Sequence, residues 1–263
     1  MQANNFISAY YEAYDEEGRL GSRRGSVEYQ TTMRYIQKYI HPGAKVLEIG
    51  AGTGRYSLAL AQAGCCVDAV EPVASNLAKL RQKLDPHLDL RAIQADARDL
   101  SVFDANTYDA VLLLGPMYHL FTVKDQTEAL VQALRVLKPG GFLYAAYCMA
   151  DASIVCYGFM RGNIEKLIAQ GLLDPVTYQP FCRPEEIFQL YRKTQIDALI
   201  APLPVRRLHF VGADMATRYM DSVIDGMDEA MFSRYLDYHF SICERQDLVG
   251  ASHHTLDVLE KLP

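Results

Sequence analysis

Short apolar segments alternate with helical segments along the first 150 residues. The apolar segments are rich in Val, Ile, Leu and Ala, and most end at Gly, Pro or an acidic residue, which is typical of buried strands. We predict strands over 45–49, 66–70, 90–94, 108–114 and 142–148. Apolar residues at helical spacing predict helices over 55–63, 76–84 and 125–137. This alternation predicts an α/β fold with a parallel sheet.

After residue 150 the alternation ends and helical segments dominate. We predict helices over 164–170, 185–198, 215–224 and 228–243, and two more strands over 205–211 and 254–258. Because no repeat or linker interrupts the chain, residues 1–263 are expected to form a single domain, whose later helices cap the carboxyl edge of the sheet. Ser75 is the expected N-cap of the helix over 76–84.

The chain has 26 Lys and Arg against 32 Asp and Glu, a formal net charge of −6. Such a chain is a poor partner for nucleic acid, because phosphate binding depends on clustered Lys and Arg. No apolar run approaches the ~20 residues of a membrane helix, and the N-terminus does not look like a signal peptide. The six cysteines form no CxxC pair and no metal-ligand spacing appears. The sequence therefore predicts a cytoplasmic protein with reduced thiols and no metal site.

The segment Val46-Leu47-Glu48-Ile49-Gly50-Ala51-Gly52-Thr53-Gly54 joins the first strand to the first helix. Its alternating glycines let the backbone approach a ligand closely, and the helix offers N–H groups without partners in its first turn. A dinucleotide-binding fingerprint has its third glycine one residue later, where this chain has Arg55. The spacing instead resembles motif I of the class I S-adenosylmethionine-dependent methyltransferases.

Three more landmarks of that family follow in order: Glu71 after the second strand, Asp96 after the third, and Leu137-Lys138-Pro139-Gly140-Gly141 before the fifth. The resemblance implies that Glu71 accepts the ribose hydroxyls of the cofactor and that Asp96 accepts the adenine amino group. It also implies a Rossmann-like seven-stranded methyltransferase sheet with helices on both faces and a helical cap. Residues 30–150 then form the cofactor-binding core, and residues 151–263 supply the remaining strands, the cap and the substrate region.

By the same resemblance, S-adenosyl-L-methionine is expected to bind at the glycine loop and the ends of the neighbouring strands. The expected residues are Glu48, Gly50, Ala51, Gly52, Thr53, Gly54, Glu71, Pro72, Asp96, Ala97 and Gly115. Acidic side chains suit hydroxyls, an amine and a positively charged sulfur better than they suit a pyrophosphate. For Glu48 a second role stays open, in which its carboxylate binds the amides of the loop.

The segment Gly115-Pro116-Met117-Tyr118-His119-Leu120 follows the fourth strand, where ligands bind in open α/β sheets. Methyltransferases of exocyclic amines on nucleic acid have Asn or Asp, two prolines and an aromatic residue here, so the missing polar residue argues against such a substrate. Tyr118 and His119 are the candidate catalytic residues. Tyr118 could instead pack around the ligand, and His119 matters as a general base only if the acceptor loses a proton.

Tyrosines at positions 10, 11 and 14 have helical spacing. In related enzymes this segment folds over the cofactor, so residues 1–29 are the expected lid, with Tyr11 and Tyr14 lining or gating the pocket. An amphipathic helix packed on the sheet is the alternative. His253 and His254 open the last strand, and neighbours in a strand point to opposite faces, so both cannot easily serve one site. We expect an ordinary pair of strand-end histidines, and the alternative is that one of them reaches the substrate.

Together these features predict methyl transfer from S-adenosylmethionine to an oxygen, nitrogen or carbon atom of a small-molecule substrate, without a nucleic-acid or membrane partner. Two alternatives stay open: a NAD-dependent oxidoreductase, and a protein that binds S-adenosylmethionine without catalysis. No motif identifies the acceptor or the oligomeric state.

Overall fold

The computed structural model describes residues 6–7, 9–11 and 21–263. Its strands are β1 (Lys45–Ile49), β2 (Cys66–Val70), β3 (Leu90–Ile93), β4 (Tyr108–Leu113), β5 (Leu137–Met149), β6 (Leu190–Tyr191), β7 (Val205–Gly212) and β8 (His254–Lys261). They form one sheet in the order β3-β2-β1-β4-β5-β8-β7, and the two-residue β6 pairs with the end of β5. The expected seven-stranded sheet is confirmed, with β6 as a short addition.

The helices pack around this sheet. The α-helices are α1 (Arg23–Ile36), α2 (Arg55–Gln62), α3 (Ala74–Gln82), α4 (Val123–Val136), α5 (Ala150–Ser153), α6 (Ile164–Ala169), α7 (Lys193–Ile200), α8 (Asp221–Asp225) and α9 (Glu229–Ile242). A π-helical turn over Ile154–Phe159 follows α5, and 3₁₀ turns cover Pro116–His119, Pro184–Glu186, Met215–Tyr219 and Val249–Ala251. Within the described ranges, no helix has both the length and the apolar character needed to cross a membrane.

Strand direction decides which residues meet at the functional edge of the sheet. Strands β1 to β5 run parallel, so their carboxyl ends share one edge. Strand β8 runs antiparallel between β5 and β7, and its first residue, His254, lies opposite Cys148 near the end of β5. The start of β8 therefore reaches the same edge as the ends of the parallel strands.

Alternation along the strands builds two apolar layers, one on each face of the sheet. Leu47 and Ile49 face α4 and α7, where they join a buried cluster with residues such as Leu130. Val46 faces the opposite side, in a cluster that includes Ile36 of α1. Because both faces are covered, the central strands are buried almost throughout, as the continuous apolar runs in the sequence predict.

The expected Ser75 cap is wrong. Helix α3 begins at Ala74 with Val73 in the cap position, and the Ser75 hydroxyl is buried without a hydrogen-bond partner in the described part of the chain. The physical reason is that Ser75 lies within the first turn of the helix and not before it. The carboxylate of Glu71 accepts the amide of Val73 at 2.9 Å and so fixes the residue from which the helix starts.

Two helices expected after residue 180 are also broken. In place of one helix over 185–198, a turn at Pro184–Glu186 leads to β6 and then to α7, because Ile187 takes a left-handed backbone with φ of 70°. The amide of Gln189 donates to the carbonyl of Tyr118 at 2.6 Å, which ties this segment to the sheet edge. The helix expected over 215–224 is a 3₁₀ turn followed by the short α8.

Arg206 and Arg207 are neighbours on β7 whose ion pairs differ in burial. Arg207 donates to both carboxylate oxygens of Asp257 at 2.8 and 2.7 Å, and the Asp257 side chain is 0% exposed. Burial raises the pKa of Asp257 to about 6, while Arg207 acts in the opposite direction. Arg206 pairs with Glu260 at 2.5 Å, but its own side chain is 66% exposed. Substitutions at the two positions can therefore compare a buried ion pair with an exposed one.

Arg207→Met should lower the free energy of unfolding by about 3–5 kcal/mol, because the carboxylate of Asp257 stays buried without its partner. Arg206→Met is the control and should cost less than about 1 kcal/mol, because its ion pair is exposed to solvent. Urea unfolding at neutral pH, followed by circular dichroism, compares the variants. An equal decrease of the unfolding free energy in the two variants would contradict the greater contribution of the buried ion pair.

Candidate functional site

The loop between β1 and α2 follows a left-handed path that depends on glycine. Gly50, Gly52 and Gly54 have φ values of 78°, 57° and 88°, in a region that side chains disfavour. A Cβ atom at Gly50 would lie 2.8 Å from the ring of Pro116, so a larger residue would displace that proline. At Gly52 an added Cβ would meet no atom within 4 Å. The backbone there faces open space that a ligand can fill.

Glu71, which follows β2, fastens this loop. Its carboxylate accepts the amide of Gly52 at 2.8 Å, in addition to the amide of Val73 and the side chain of Asn76. Burial raises the pKa of Glu71, whereas these three hydrogen bonds act in the opposite direction. The carboxylate is therefore held in place, and its remaining lone pairs can accept hydrogen bonds from a ligand.

Glu48 is buried in β1 beneath the loop, and it bonds to α2. It accepts a short hydrogen bond from the hydroxyl of Ser57 and a second bond from the backbone amide of that residue. Burial raises the pKa of Glu48 to about 7, while the bonds from Ser57 lower it. Its carboxylate thus stabilises the first turn of α2, instead of the loop amides, and also reaches the cavity above.

A cavity, here named the loop cavity, lies at the carboxyl ends of β1, β2 and β4. Ten of the expected cofactor residues line it: Glu48, Gly50, Ala51, Gly52, Thr53, Glu71, Pro72, Asp96, Ala97 and Gly115. Tyr11, Tyr118 and His119 line it as well. Gly54 does not, because it is the N-cap of α2 and packs against Leu80. Tyr14 lies outside the described residues.

Asp96 is paired with Arg98, a contact that the motif comparison did not predict. The guanidinium of Arg98 donates to the two carboxylate oxygens of Asp96 at 2.9 and 2.7 Å. These bonds hold the pKa of Asp96 below its usual value, against the effect of burial. The pair keeps the Asp96 carboxylate ionised at the rim of the loop cavity.

Among the described residues, four carboxylic side chains and two arginines line the loop cavity. The carboxylates come from Glu28, Glu48, Glu71 and Asp96. The two arginines of the lining are both engaged, since Arg98 pairs with Asp96 and Arg55 lies 4.3 Å from the ring centre of Tyr29. The described lining therefore offers carboxylate oxygens to a ligand while its arginines are engaged, which favours a ligand with hydroxyl groups and a positive charge and disfavours a diphosphate. The residues thus fit a nucleoside that carries a cationic group.

A second and larger cavity, the outer cavity, lies beside the first and has a volume of about 890 Å³. Cavities of roughly 300–1,000 Å³ are typical of small-molecule sites. Its apolar wall comes largely from the region after β5 and includes Ile154, Leu167, Leu172, Phe181 and Phe188. Its polar wall includes Arg24, Arg161, Arg218 and Asp221. The outer cavity therefore suits a ligand with both an apolar body and polar groups.

Of the residues that the structure describes, three line both cavities: Tyr11, Tyr118 and His254. Tyr118 lies in the 3₁₀ turn after β4, with its ring centre 5.8 Å from that of His254. We name this meeting point the junction. A chemical group transferred between ligands in the two cavities would move through the space beside these three side chains.

His119 is hydrogen bonded through both ring nitrogens. Its Nδ1 donates to the carbonyl of Ile187 at 2.8 Å, which leaves Nε2 as the acceptor for the hydroxyl of Tyr11 at 3.0 Å. Burial lowers the pKa of His119, so the ring is neutral at neutral pH. His119 thereby joins the N-terminal segment to the sheet edge, and it can take a proton only through Tyr11 or after that bond opens.

The expectation that the rings of His253 and His254 point to opposite faces is wrong. His253 precedes β8, so strand alternation does not apply to it, and the ring centres lie 4.7 Å apart. Nδ1 of His254 donates to Asp214 at 2.8 Å and lies 3.5 Å from a carboxylate oxygen of Glu28. The pair belongs to a buried hydrogen-bonded cluster, which we name the His254 cluster.

Motif reasoning missed the acidic members of this cluster. Glu28 lies in α1 and Asp214 follows β7, and neither belongs to a recognisable motif. The neighbouring histidines were the only signal in the sequence, and they do not identify their partners.

A sheet of this order, a glycine loop after β1, and carboxylates after β2 and β3 define a nucleoside-binding domain of the methyltransferase type. Residues 46–141 match the family model described as a methyltransferase domain. The comparisons in sequence and in structure agree that this domain is similar to those of the class I S-adenosylmethionine-dependent methyltransferases. The nucleoside with a cationic group is therefore S-adenosylmethionine.

The similar proteins include methyltransferases of different substrates. Cypemycin N-terminal methyltransferase from a Streptomyces species is 37% identical over 133 residues, which are 49% of this chain and 51% of that protein. Demethylmenaquinone methyltransferase from Clavibacter sepedonicus is 37% identical over 99 residues, 38% of this chain and 39% of that protein. The chain thus spans about half or less of the length of these relatives.

Among solved structures, the 1,6-didemethyltoxoflavin-N1-methyltransferase of Burkholderia thailandensis contains bound 1,6-didemethyltoxoflavin and S-adenosylhomocysteine. It matches with a TM-score of 0.60 at 14% identity, over 100% of this chain and 88% of that one. At this identity the likeness shows a shared fold.

Glu71→Ala should weaken the binding of S-adenosylhomocysteine by about 1–3 kcal/mol, because it removes a charged hydrogen-bond partner and releases the loop. Isothermal titration calorimetry measures the dissociation constant. Glu165→Ala, at an exposed position of α6, is the control and should bind like the wild type. An unchanged constant in Glu71→Ala would contradict this placement of the ribose.

Glu48→Gln should reduce the dependence of stability on pH. The fold raises the pKa of Glu48 from 4.5 to about 7, so the folded state holds the proton more tightly than the unfolded state. This stabilisation is complete below the unfolded value and is lost as the pH rises through the folded value. Between about pH 5 and pH 8 the unfolding free energy of the variant should therefore fall less than that of the wild type. Urea unfolding tests this, with Glu165→Gln as the control, and an equally steep fall would refute it.

Proposed function

We propose that this protein transfers the methyl group of S-adenosylmethionine to an oxygen, nitrogen or carbon atom of a small molecule in the outer cavity. The junction carries the proposal, because a cavity suited to the cofactor meets a cavity of small-molecule size at Tyr11, Tyr118 and His254. When bound, S-adenosylmethionine supplies an electrophilic methyl group on a positively charged sulfur.

In this proposal residues 30–150 bind the cofactor. Glu71 accepts the ribose hydroxyls and Asp96 accepts the adenine amino group, as acids after the second and third strands do in related folds. The open backbone at Gly52 admits the ligand without a clash. Glu28 adds negative charge near a cationic ligand, and such a ligand in turn favours the ionised form of Glu48.

Residues 151–263 supply most of the acceptor site, and residues 1–29 act as the lid. The apolar wall of the outer cavity, from the region after β5, supports the first assignment. The 3.0 Å contact between Tyr11 and His119 supports the second, since it fixes a described part of the N-terminal segment at the junction. A lid there excludes water and so strengthens the electrostatic interactions of the site.

Tyr118 shapes the junction, and His119 orients Tyr11. Because the ring of His119 is neutral, it can also receive a proton that reaches it through the hydroxyl of Tyr11. Alignment of the two ligands supplies much of the acceleration for a displacement of this kind. These two residues are therefore proposed as positioning groups first and as proton carriers second.

The acceptor is proposed to be a small metabolite, with the protein in the cytoplasm. Demethylmenaquinone and 1,6-didemethyltoxoflavin, which appear in the names of the similar enzymes, are small molecules of different classes. The cysteines all carry free thiols, which suits a reducing compartment. A NAD-dependent oxidoreductase would need to place a diphosphate beside the carboxylates of the loop cavity, which is electrostatically unfavourable.

The test is a comparison of ligands and then of turnover. Isothermal titration calorimetry should show binding of S-adenosylmethionine and S-adenosylhomocysteine, and no binding of NAD. S-adenosylhomocysteine should then form over a panel of phenols, amines, carboxylic acids and activated methylene compounds, at a rate above that of heat-inactivated protein.

Binding of NAD in place of S-adenosylmethionine would overturn the proposal in favour of an oxidoreductase. Binding of S-adenosylmethionine with no product over the whole panel would instead favour a protein that binds the cofactor without catalysis. Glu71→Ala serves as a control for the panel, because its product formation should fall when the cofactor concentration is below saturation.

A further inference from the structure

Asp214 is a buried carboxylate held by four hydrogen-bond donors. Its Oδ1 accepts the hydroxyl of Ser252 at 2.8 Å and the amides of His253 and His254 at 2.9 and 3.0 Å. Its Oδ2 accepts Nδ1–H of His254 at 2.8 Å, and the residue is 1% exposed. Asp214 therefore cannot rotate without losing most of these bonds, and it fixes the orientation of the His254 ring.

Because Nδ1 of His254 is used in this way, Nε2 is the nitrogen left for a ligand. Within residues 21–263 and the described positions before them, we find no hydrogen-bond partner for Nε2. His254 lines both the loop cavity and the outer cavity, next to Tyr118. One imidazole nitrogen is thus presented where the two ligands of the proposed reaction would meet.

The charges around His254 come from every element packed against it. Glu28 faces it from α1, Asp214 from the turn after β7, and Cys148 from β5, while His253 contacts its ring. Burial by itself would lower the pKa of His254, but these groups, Glu28 first among them, raise it well above the usual value. Burial lowers the pKa of His253 to about 3, so this neighbour stays neutral.

We propose that His254, oriented by Asp214, takes the proton that the acceptor loses on methylation, and that the acceptor atom is therefore a protonated oxygen or nitrogen. This inference rests on the proposed function and narrows its acceptor class. The acceptor atom forms a bond to the methyl carbon with its lone pair, and sulfur keeps the electron pair of the carbon–sulfur bond. Nε2 of His254, which loses its proton to solvent when the positively charged cofactor lowers the proton affinity of the ring, takes the displaced O–H or N–H proton. His119 suits this role less well, because both of its nitrogens are already bonded.

The loop cavity and the His254 cluster are expected to act on each other through charge. A positively charged ligand in the loop cavity repels the proton of the imidazolium, so the charged cofactor favours the neutral ring that can act as a base. S-adenosylhomocysteine lacks that charge. The two ligands should therefore change the proton affinity of His254 to different extents, without any acceptor.

The experiment is an NMR titration of the full chain with ¹³C-labelled histidine, in a buffer that contains EDTA to exclude metal ions. With S-adenosylmethionine bound, the proton affinity of His254 should be about tenfold lower than with S-adenosylhomocysteine bound. His87 is exposed, lines neither cavity and serves as the internal reference. His254→Gln assigns the resonance.

The outcomes separate this inference from the function on which it rests. If neither ligand binds, the proposed function fails. If both bind and His254 titrates identically in the two complexes, the ring does not sense the reacting centre, and this inference fails alone. With an acceptor that gives product in the panel, His254→Gln should lower kcat about 100-fold and change the affinity for S-adenosylhomocysteine less than about twofold. An unchanged kcat would overturn the proton role.

Asp214 acts as a positioning residue, and a second variant tests that role. Asp214→Asn should lower the proton affinity of His254 by about tenfold or more, because it removes the charge that faces Nδ1. Asp237→Asn, at an exposed position of α9, is the control and should leave the titration unchanged. A folded Asp214→Asn variant whose His254 titrates like the wild type would contradict the pairing.

Discussion

The end of β2 determines the path of the glycine loop, and the loop in turn shapes the loop cavity. The amides of Gly50 and Ala51 both donate to the carbonyl of Val70, at 2.8 and 2.9 Å, and the amide of Gly52 donates to Glu71. These acceptors are consecutive residues, so the loop depends on the parallel register of β1 and β2. A slip of one residue would send Glu71 to the wrong face of the sheet. The binding chemistry is thus a direct product of strand pairing.

Much of the structure of residues 30–150 was predictable from sequence, because its determinants are local. β1 and β2 lie where the apolar runs at 45–49 and 66–70 indicated, since each run is bounded by a glycine or an acidic residue. Parallel strands bring their carboxyl ends together, so residues named from separate motifs, such as Glu71 and Asp96, line one cavity. Gly54, the third glycine of the motif, does not line this cavity. It is the N-cap of α2 and packs against Leu80.

The structure of residues 151–263 was less predictable, because many of its contacts join residues that are far apart in the sequence. Asp214 and His254 are 40 positions apart, and nothing in either segment marks the other as its partner. The apolar spacing over 185–198 suits a helix, but the hydrogen bond from Gln189 to the carbonyl of Tyr118 and the pairing of β6 override it. In such cases tertiary contacts outweigh local preference.

Under the proposed function, the reversed direction of β8 would let cofactor binding and substrate choice vary separately. In a fully parallel sheet the first residue of an eight-residue strand would lie at the opposite edge, roughly 25 Å away. Because β8 is antiparallel, His254 lies at this edge on a strand that is paired with a neighbour on each side. The helices and turns after β5 can then be remodelled to admit differently shaped molecules while the imidazole keeps its place. Such an arrangement gives one scaffold a route to new substrate specificities without rebuilding its reaction centre.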